Sequence, residues 1–257
     1  MPQVHPTAIV EPTAELEEGV VVGAMAYIGA RVRIAAGTVI HHHATVEGNT
    51  TMGPGNVVFP YAFIGGQTQD LKFKGGFPAL KIGARNVFRE YCTVHTATAE
   101  GDATIIGDDC YFLAYSHVAH ECIIGNHVLL GHNSTFGGHI EAEDHAVVGG
   151  HTALHPFVRL GRHCYVGGMT KVTQDIPPYM IAEGNPAEIK LINKVGMQRT
   201  GHSVEQVNLA MRLFKLLYRE GQNRTQALEK LESGELGDDP IVVNLASFIR
   251  ASKRGLS

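Results

Sequence analysis

The sequence predicts an all-β solenoid, a parallel β-helix of hexapeptide repeats closed by a C-terminal α-helical domain. Three observations carry that prediction. The first is a six-residue beat: an apolar residue recurs at Ile82, Phe88 and Val94, then at Ile106, Phe112, Val118, Ile124, Leu130, Phe136, Ala142, Val148, Leu154, Leu160, Val166 and Val172. An earlier run keeps the same period at Ile28, Ile34, Ile40, Val46 and Met52. A fixed period over so long a stretch marks a repeat architecture. Neither the 3.6-residue period of a helix nor the two-residue period of a strand produces it. The second observation is glycine directly after the beat, as at Gly107, Gly125, Gly131, Gly149, Gly161 and Gly167. One short strand and one turn per hexapeptide, three hexapeptides to a coil, satisfy both. The third is the change after Val172, where a proline-rich exit gives way to helical spacing.

Each element follows from that reading. The beat residue points inward and rests on its counterpart roughly 18 residues on, with coils stacked at about 4.8 Å. Two stretches interrupt the beat, polar and glycine-rich Gly65–Lys81 and the shorter Thr96–Thr104. Insertions in a solenoid leave the stack as surface loops, and such loops often build a binding face. After Val172, QDIPPYMIAEGNPAEIK carries three prolines and ends the repeat, because proline removes the donor a ladder needs. Beyond it Val207, Ala210, Met211, Phe214, Leu217 and Tyr218 have helical spacing, with Ser203 as N-cap. Further helices are expected near Thr225–Leu231 and Ile241–Ala251. They would cap the open end of the solenoid, whose last coil presents unpaired edges. The expected division is residues 1–185 for the β-helix, with its inserted loop at 65–81, and 186–257 for the helical domain.

Composition sets limits. The chain has 257 residues, 44% of them hydrophobic, with 30 Gly and no Trp, which suits a narrow core of Val, Ile and Leu. A formal charge of −4 argues against general nucleic-acid binding. The four cysteines, Cys92, Cys110, Cys122 and Cys164, form no CxxC and suit buried thiols in a reducing compartment. The start MPQVHPTAIVEP lacks a cationic stretch before an apolar one, and no apolar run reaches membrane-spanning length. A cytoplasmic location is expected.

Histidine is abundant, at 15 copies. Turn positions on a solenoid tolerate polar residues, so His127, His145 and His163 are expected simply to face solvent. In His41-His42-His43 neighbouring side chains alternate faces and do not converge as metal ligands. A subset does converge. Val118, Phe136 and Leu154 lie one coil apart, so His120, Gly138, His139 and His155 should line one edge over roughly 10 Å, with His117 beside it. A histidine base next to a glycine amide is an acyl-transfer arrangement: the imidazole takes a hydroxyl proton and the N–H stabilises the oxyanion. No GxSxG elbow occurs, which favours direct attack by the acceptor over a covalent acyl-enzyme.

QDLK at Gln69–Lys72, SHVAHE at Ser116–Glu121, FGGHI at Phe136–Ile140, the DIPPY and GNPA exit and the closing SKRGL complete the set. With them the whole chain resembles the UDP-N-acetylglucosamine O-acyltransferases of lipid A biosynthesis. The resemblance implies a left-handed helix, against the usual right-handed crossover, and a homotrimer with active sites between subunits. It implies transfer of an (R)-3-hydroxyacyl chain from the phosphopantetheine of acyl carrier protein to the 3-position of the UDP-sugar, as the first step of lipid A biosynthesis. No cofactor and no metal are implied. His120 matches the catalytic histidine, Gly138 the oxyanion glycine, and His117 and His139 the neighbouring substrate histidines. Asp70 and Lys72 match sugar contacts, and His155 and Arg199 match nucleotide-sugar contacts. Gly168, with Met169 beside it, matches the position that measures acyl length.

Departures from the family pattern are specific. Glu121 stands where aspartate is common, and either carboxylate can orient an imidazolium. His95-Thr96-Ala97-Thr98 lacks the usual arginine, and Pro156, Val195 and Thr200 alter the nucleotide contacts. Arg159, Arg162 and Lys171 are candidates for docking the acidic carrier. The alternatives are a 3-amino acceptor, a later N-acyltransferase of the pathway, a non-lipid hexapeptide acetyltransferase, and a zinc or scaffold solenoid using His95, His117 and His120 or His139.

Overall fold

The computed structural model describes residues 1–257, and the repeat residues form the interior of a left-handed parallel β-helix. Strands of mostly two residues build three flat faces. The first face has eleven strands, from Gln3–Val4 to Glu188–Ile192. The second has nine, from Ile9–Val10 to Lys171–Val172, and the third eight, from Glu15–Leu16 to Arg159–Leu160. The register is the one the beat demands: Val118 pairs with Phe136 and Phe136 with Leu154. The beat residues are sealed inside, and Val22, Val58 and Ile64 extend the run beyond the two stretches read from sequence. Full burial of such a side chain contributes about 1.5–3 kcal/mol, so the core is a sum of many equal steps.

Most corners turn through a residue in the left-handed conformation. Tyr91 and Tyr115, Glu121 and His139, His127 and His145 all have φ between 50° and 60°. These residues fall into three columns along the prism edges. On the edge between the first and second faces, Tyr61, Tyr91 and Tyr115 stack at 5.1 and 4.9 Å. At its N-terminal end His43 stacks on Tyr61 while His41 lies against Phe59, so the histidine triplet is divided among separate aromatic contacts.

Both insertions leave at the edge between the second and third faces. The solenoid ends where Met180–Glu183 pairs antiparallel with Glu188–Ile192, and the expected division at 185/186 falls in the turn of this hairpin. Four helices follow: α1 (Lys194–Arg199), α2 (Val204–Tyr218), α3 (Arg224–Glu232) and α4 (Pro240–Ala251). Ser203 caps α2 in a reciprocal box with Gln206. The short α1 has no amphipathic period, which is why its sequence gave no helical signal. The helices share a second core with Tyr179, Met180 and Ile192 at the exit. No helix is long and apolar enough to cross a membrane.

The closing SKRGL segment returns to the solenoid. Arg254 Nε donates to the Thr173 carbonyl at 3.0 Å, and Asp175 N donates to the Gly255 carbonyl at 2.9 Å. Arg159 is equally structural. It pairs with Glu141 at 2.9 Å, donates to the Phe248 carbonyl at 3.2 Å and lies over the Phe248 ring. Arg162 is paired with Asp144 at 3.1 Å. Both guanidiniums are ion-paired within the chain, whereas Lys171 stays exposed.

Candidate active site

His120 follows the strand His117–Val118 and reaches the edge between the second and third faces one residue before the left-handed Glu121. One coil later the same position is Gly138, and the absence of a side chain there is what admits the imidazole. A Cβ on Gly138 would stand 2.4 Å from His120 Cε1 and 2.6 Å from Nε2. The Gly138 N–H makes no hydrogen bond within the chain.

The imidazole is oriented from both sides. Nδ1 donates to Glu121 Oε2, and Nε2 faces Asp70 Oδ2 at 3.9 Å. Its side chain is 15% exposed and that of Glu121 12%. Glu121 also accepts from the Thr98 N–H and, at 3.3 Å, from the Thr98 hydroxyl. Burial alone would raise the Glu121 carboxyl. The Thr98 amide and the His120 ring outweigh it and hold it below the usual carboxylate range. An ionised Glu121 keeps the proton on Nδ1 and leaves the Nε2 lone pair for chemistry.

His139, one coil above Glu121, brings Nε2 to 3.8 Å from Glu121 Oε2 and meets His120 edge-on. Asp70 and Lys72 arrive on the first insertion, where the Asp70 carboxylate accepts the Lys72 N–H at 2.9 Å. With Lys74, Thr98, Glu121 and His139 they line an open cleft of about 630 Å³. His117 sits beside it on the second face, its Nδ1 2.7 Å from Thr93 Oγ1 and its ring edge-on to His95. Burial first, then His95 and His120, bring the His117 imidazole down to about 4, so it stays neutral at physiological pH.

The remaining expected residues stand elsewhere. His155 aligns with Gly137 rather than Gly138, is exposed, and lies 3.1 Å from the carbonyl of Pro156. Gly168 and Met169 are on the edge between the first and second faces, with Met169 81% exposed. Arg199 closes α1 at the third edge, beside a cavity of about 380 Å³ that His127, His145, His163 and Tyr165 also line. A single chain therefore gathers His120, Glu121, Gly138, His139, His117, Asp70 and Lys72, and leaves Arg199, Gly168 and Met169 on other edges.

The structure corrects one expectation for the third edge. His163 is 5% exposed, not solvent-facing. His127, His145 and His163 stack at 4.6 and 4.5 Å, and Tyr179 and His202 close the column against the helical domain. Two contributors to the site escaped the sequence reading. Phe157 stacks on His139 at 4.4 Å, and the repeat register alone could have found it. Thr98 sits in an insertion whose path no periodicity predicts.

Comparison with known proteins identifies the family. Residues 103–138 match the bacterial transferase hexapeptide family of six repeats, and residues 175–257 match Udp N-acetylglucosamine O-acyltransferase, Domain 2. An acyl-[acyl-carrier-protein]--UDP-N-acetylglucosamine O-acyltransferase of Thermodesulfovibrio yellowstonii is 40% identical over 257 residues, 100% of this chain and 99% of the relative. One from Paraburkholderia xenovorans is 43% identical over 261 residues, again 100% and 99%. The solved LpxA of Acinetobacter baumannii superposes with a TM-score of 0.95 at 35% identity, covering 98% of both chains. The UDP-N-acetylglucosamine acyltransferase of Campylobacter jejuni does so with 0.93 at 37%, covering 99% and 98%. The chain belongs to the UDP-N-acetylglucosamine O-acyltransferase family.

Proposed function

We propose that this chain transfers an (R)-3-hydroxyacyl group from acyl carrier protein to the 3-hydroxyl of UDP-N-acetylglucosamine, the first step of lipid A biosynthesis. One observation carries the chemistry. His120 is held by Glu121 through Nδ1, with Nε2 facing Asp70 beside the unpartnered amide of Gly138. Nε2 takes the proton of the 3-hydroxyl as its oxygen attacks the thioester carbonyl. The tetrahedral oxyanion forms against the Gly138 N–H. Collapse breaks the C–S bond, and the imidazolium returns its proton to the departing phosphopantetheine thiolate.

No covalent acyl-enzyme is involved. The cysteine nearest in the chain, Cys122, is buried with its Sγ donating to the Gly137 carbonyl at 3.2 Å, and burial pushes its thiol up to about 12. Asp70 and Lys72 hold the sugar, His117 and His139 complete the acceptor site, and His155 contacts the nucleotide-sugar. Arg199 binds the nucleotide, and Gly168 with Met169 bounds the acyl chain, both supplied by a neighbouring subunit of a homotrimer. Two features support that assembly. The three groups lie on different edges of one prism, and the outward row of the first face is apolar, running through Val21, Val39, Val57, Leu129, Val147 and Ile181.

The test is an acyl-carrier-protein assay with UDP-N-acetylglucosamine and its 3-amino analogue as acceptors, over several chain lengths. His120→Ala lowers the rate by about 10²–10⁴-fold. A rate near wild type in that variant refutes the base assignment, and a preference for the 3-amino sugar refutes the acceptor.

A further inference from the structure

Five residues close a ring that includes the proposed base. The Asp70 N–H donates to Thr68 Oγ1 at 3.1 Å, and the Thr68 and Thr98 hydroxyl oxygens are 3.0 Å apart. Thr98 Oγ1 donates to Glu121 Oε2 at 3.3 Å, Glu121 accepts from His120 Nδ1, and His120 Nε2 faces Asp70 at 3.9 Å. The ends of the hydroxyl pair admit one polarity. A backbone N–H only donates and an ionised carboxylate only accepts. Thr68 must therefore accept from Asp70 and donate to Thr98, which in turn donates to Glu121. Neither hydroxyl can turn without leaving a bond unmade. Thr68 is 4% exposed, so an unmade bond there has little water to replace it.

The pair also joins the two insertions. Thr68 and Asp70 belong to the first, Thr98 to the second, and the second is anchored to the first where the Thr96 N–H meets the Gly66 carbonyl at 2.9 Å. Glu121 and His120 belong to the solenoid itself. Three separate pieces of chain thus meet at two hydroxyl groups.

We propose that Thr68 and Thr98 are positioning residues for the acyl transfer: a one-way hydroxyl relay that ties the substrate loop to Glu121 and fixes His120 with its proton on Nδ1 and its lone pair on Nε2. The proposal rests on His120 being the base. It assigns work to two residues that act through Glu121 and His120 rather than on the reacting atoms.

Thr98→Val tests it, because the shape is kept and only the hydroxyl is lost. The charged and titratable groups facing the imidazole are Asp70, Glu121, His139, His117 and His95. None changes in this variant. A Glu121 carboxylate without its hydroxyl donor turns more of its charge on the imidazolium, which then gives up its proton at higher pH. In the full-length protein, kcat for UDP-N-acetylglucosamine is expected to fall roughly 10-fold, with a smaller change in KM. The acid limb of the rate–pH profile moves up by roughly half a unit. Thr98→Ser restores both, and adding Thr68→Val to Thr98→Val changes little more, since the relay is already cut. An unmoved acid limb overturns the proposal, whether kcat is unchanged or falls together with the melting temperature. So does a Thr98→Ser variant that behaves like Thr98→Val. Full activity in His120→Ala would instead remove the base reading on which the relay depends.

Discussion

Two edges of this prism carry columns of aromatic turn residues that the backbone cannot tell apart. His139 and His145 both have φ 60°. Each stacks on the aromatic one coil above, His139 on Phe157 at 4.4 Å and His145 on His163 at 4.5 Å. What differs is the residue one position earlier. On the third edge that column reads Asn126, Asp144, Arg162, and its members satisfy one another: Asp144 Oδ1 accepts from the Asn126 N–H at 2.8 Å, and Oδ2 pairs with Arg162 at 3.1 Å. On the edge of the proposed active site it reads His120, Gly138, Pro156, which have no such ladder to make. The proposed chemistry sits where the stack stops satisfying itself, because a glycine opens a gap and two insertions aim acids and hydroxyls into it.

The sharpest way to break that distinction is to close the gap. In Gly138→Ala the new methyl occupies space 2.4 Å from His120 Cε1, so the imidazole must leave its seat beside the amide. Loss of one aligned oxyanion donor alone removes about 10²–10³-fold in kcat. The variant should reach at least that loss while its far-ultraviolet circular dichroism stays that of the wild type. An active Gly138→Ala enzyme would mean that the amide and the imidazole do not act together.

A matched pair of substitutions sharpens the comparison further. His139→Phe and His145→Phe keep the ring stack and delete only the nitrogens, and Phe157 shows that phenylalanine fits this left-handed turn position. His139 Nε2 faces Glu121 at 3.8 Å, so its loss should lower kcat/KM roughly 10-fold. The His145 ring only stacks, on His127 and His163, and its replacement should leave kcat/KM within about twofold. Equal effects from the two variants would show that stacking, not the nitrogen facing Glu121, is what the catalytic edge uses.

The repeat made most of the fold legible, because a period of six leaves one reading for which side chain points inward and which coil it meets. The same register brought His120, Gly138 and His139 together. It failed where the period stops. Thr98 and Thr68 meet through two insertions whose paths depend on tertiary contacts, and α1 is too short to show a helical stripe. It also misjudged His163. Turn positions are exposed on an isolated solenoid, but here the helical domain folds back over that corner and covers it. The residues expected to act from other edges, Arg199 and Gly168, were named only through resemblance. Nothing in one chain's periodicity states which edge meets which in an assembly.

The smallest predicted effect lies at that covered corner. Burial first, then repulsion from His145, His202 and Arg162, brings the His163 imidazole down to about 3, against the opposing pull of Asp144. It is therefore neutral in the folded protein at all ordinary pH. In the unfolded chain it titrates near 6.5, so below that pH the unfolded state binds a proton that the folded state refuses. Above 6.5 His163 is neutral in both states and exerts no pH-dependent effect. As pH falls from 6.5 towards 3 it progressively favours unfolding of the corner where the solenoid meets α1. His163→Phe keeps the stack between His145 and Tyr179 and removes the titration. Its melting temperature should match the wild type within a few degrees at pH 8, corresponding to about 1 kcal/mol, and decline less steeply between pH 6.5 and 4. Parallel slopes for the two proteins over that range would mean that the buried histidine column is as indifferent to protons as the tyrosine column on the opposite edge.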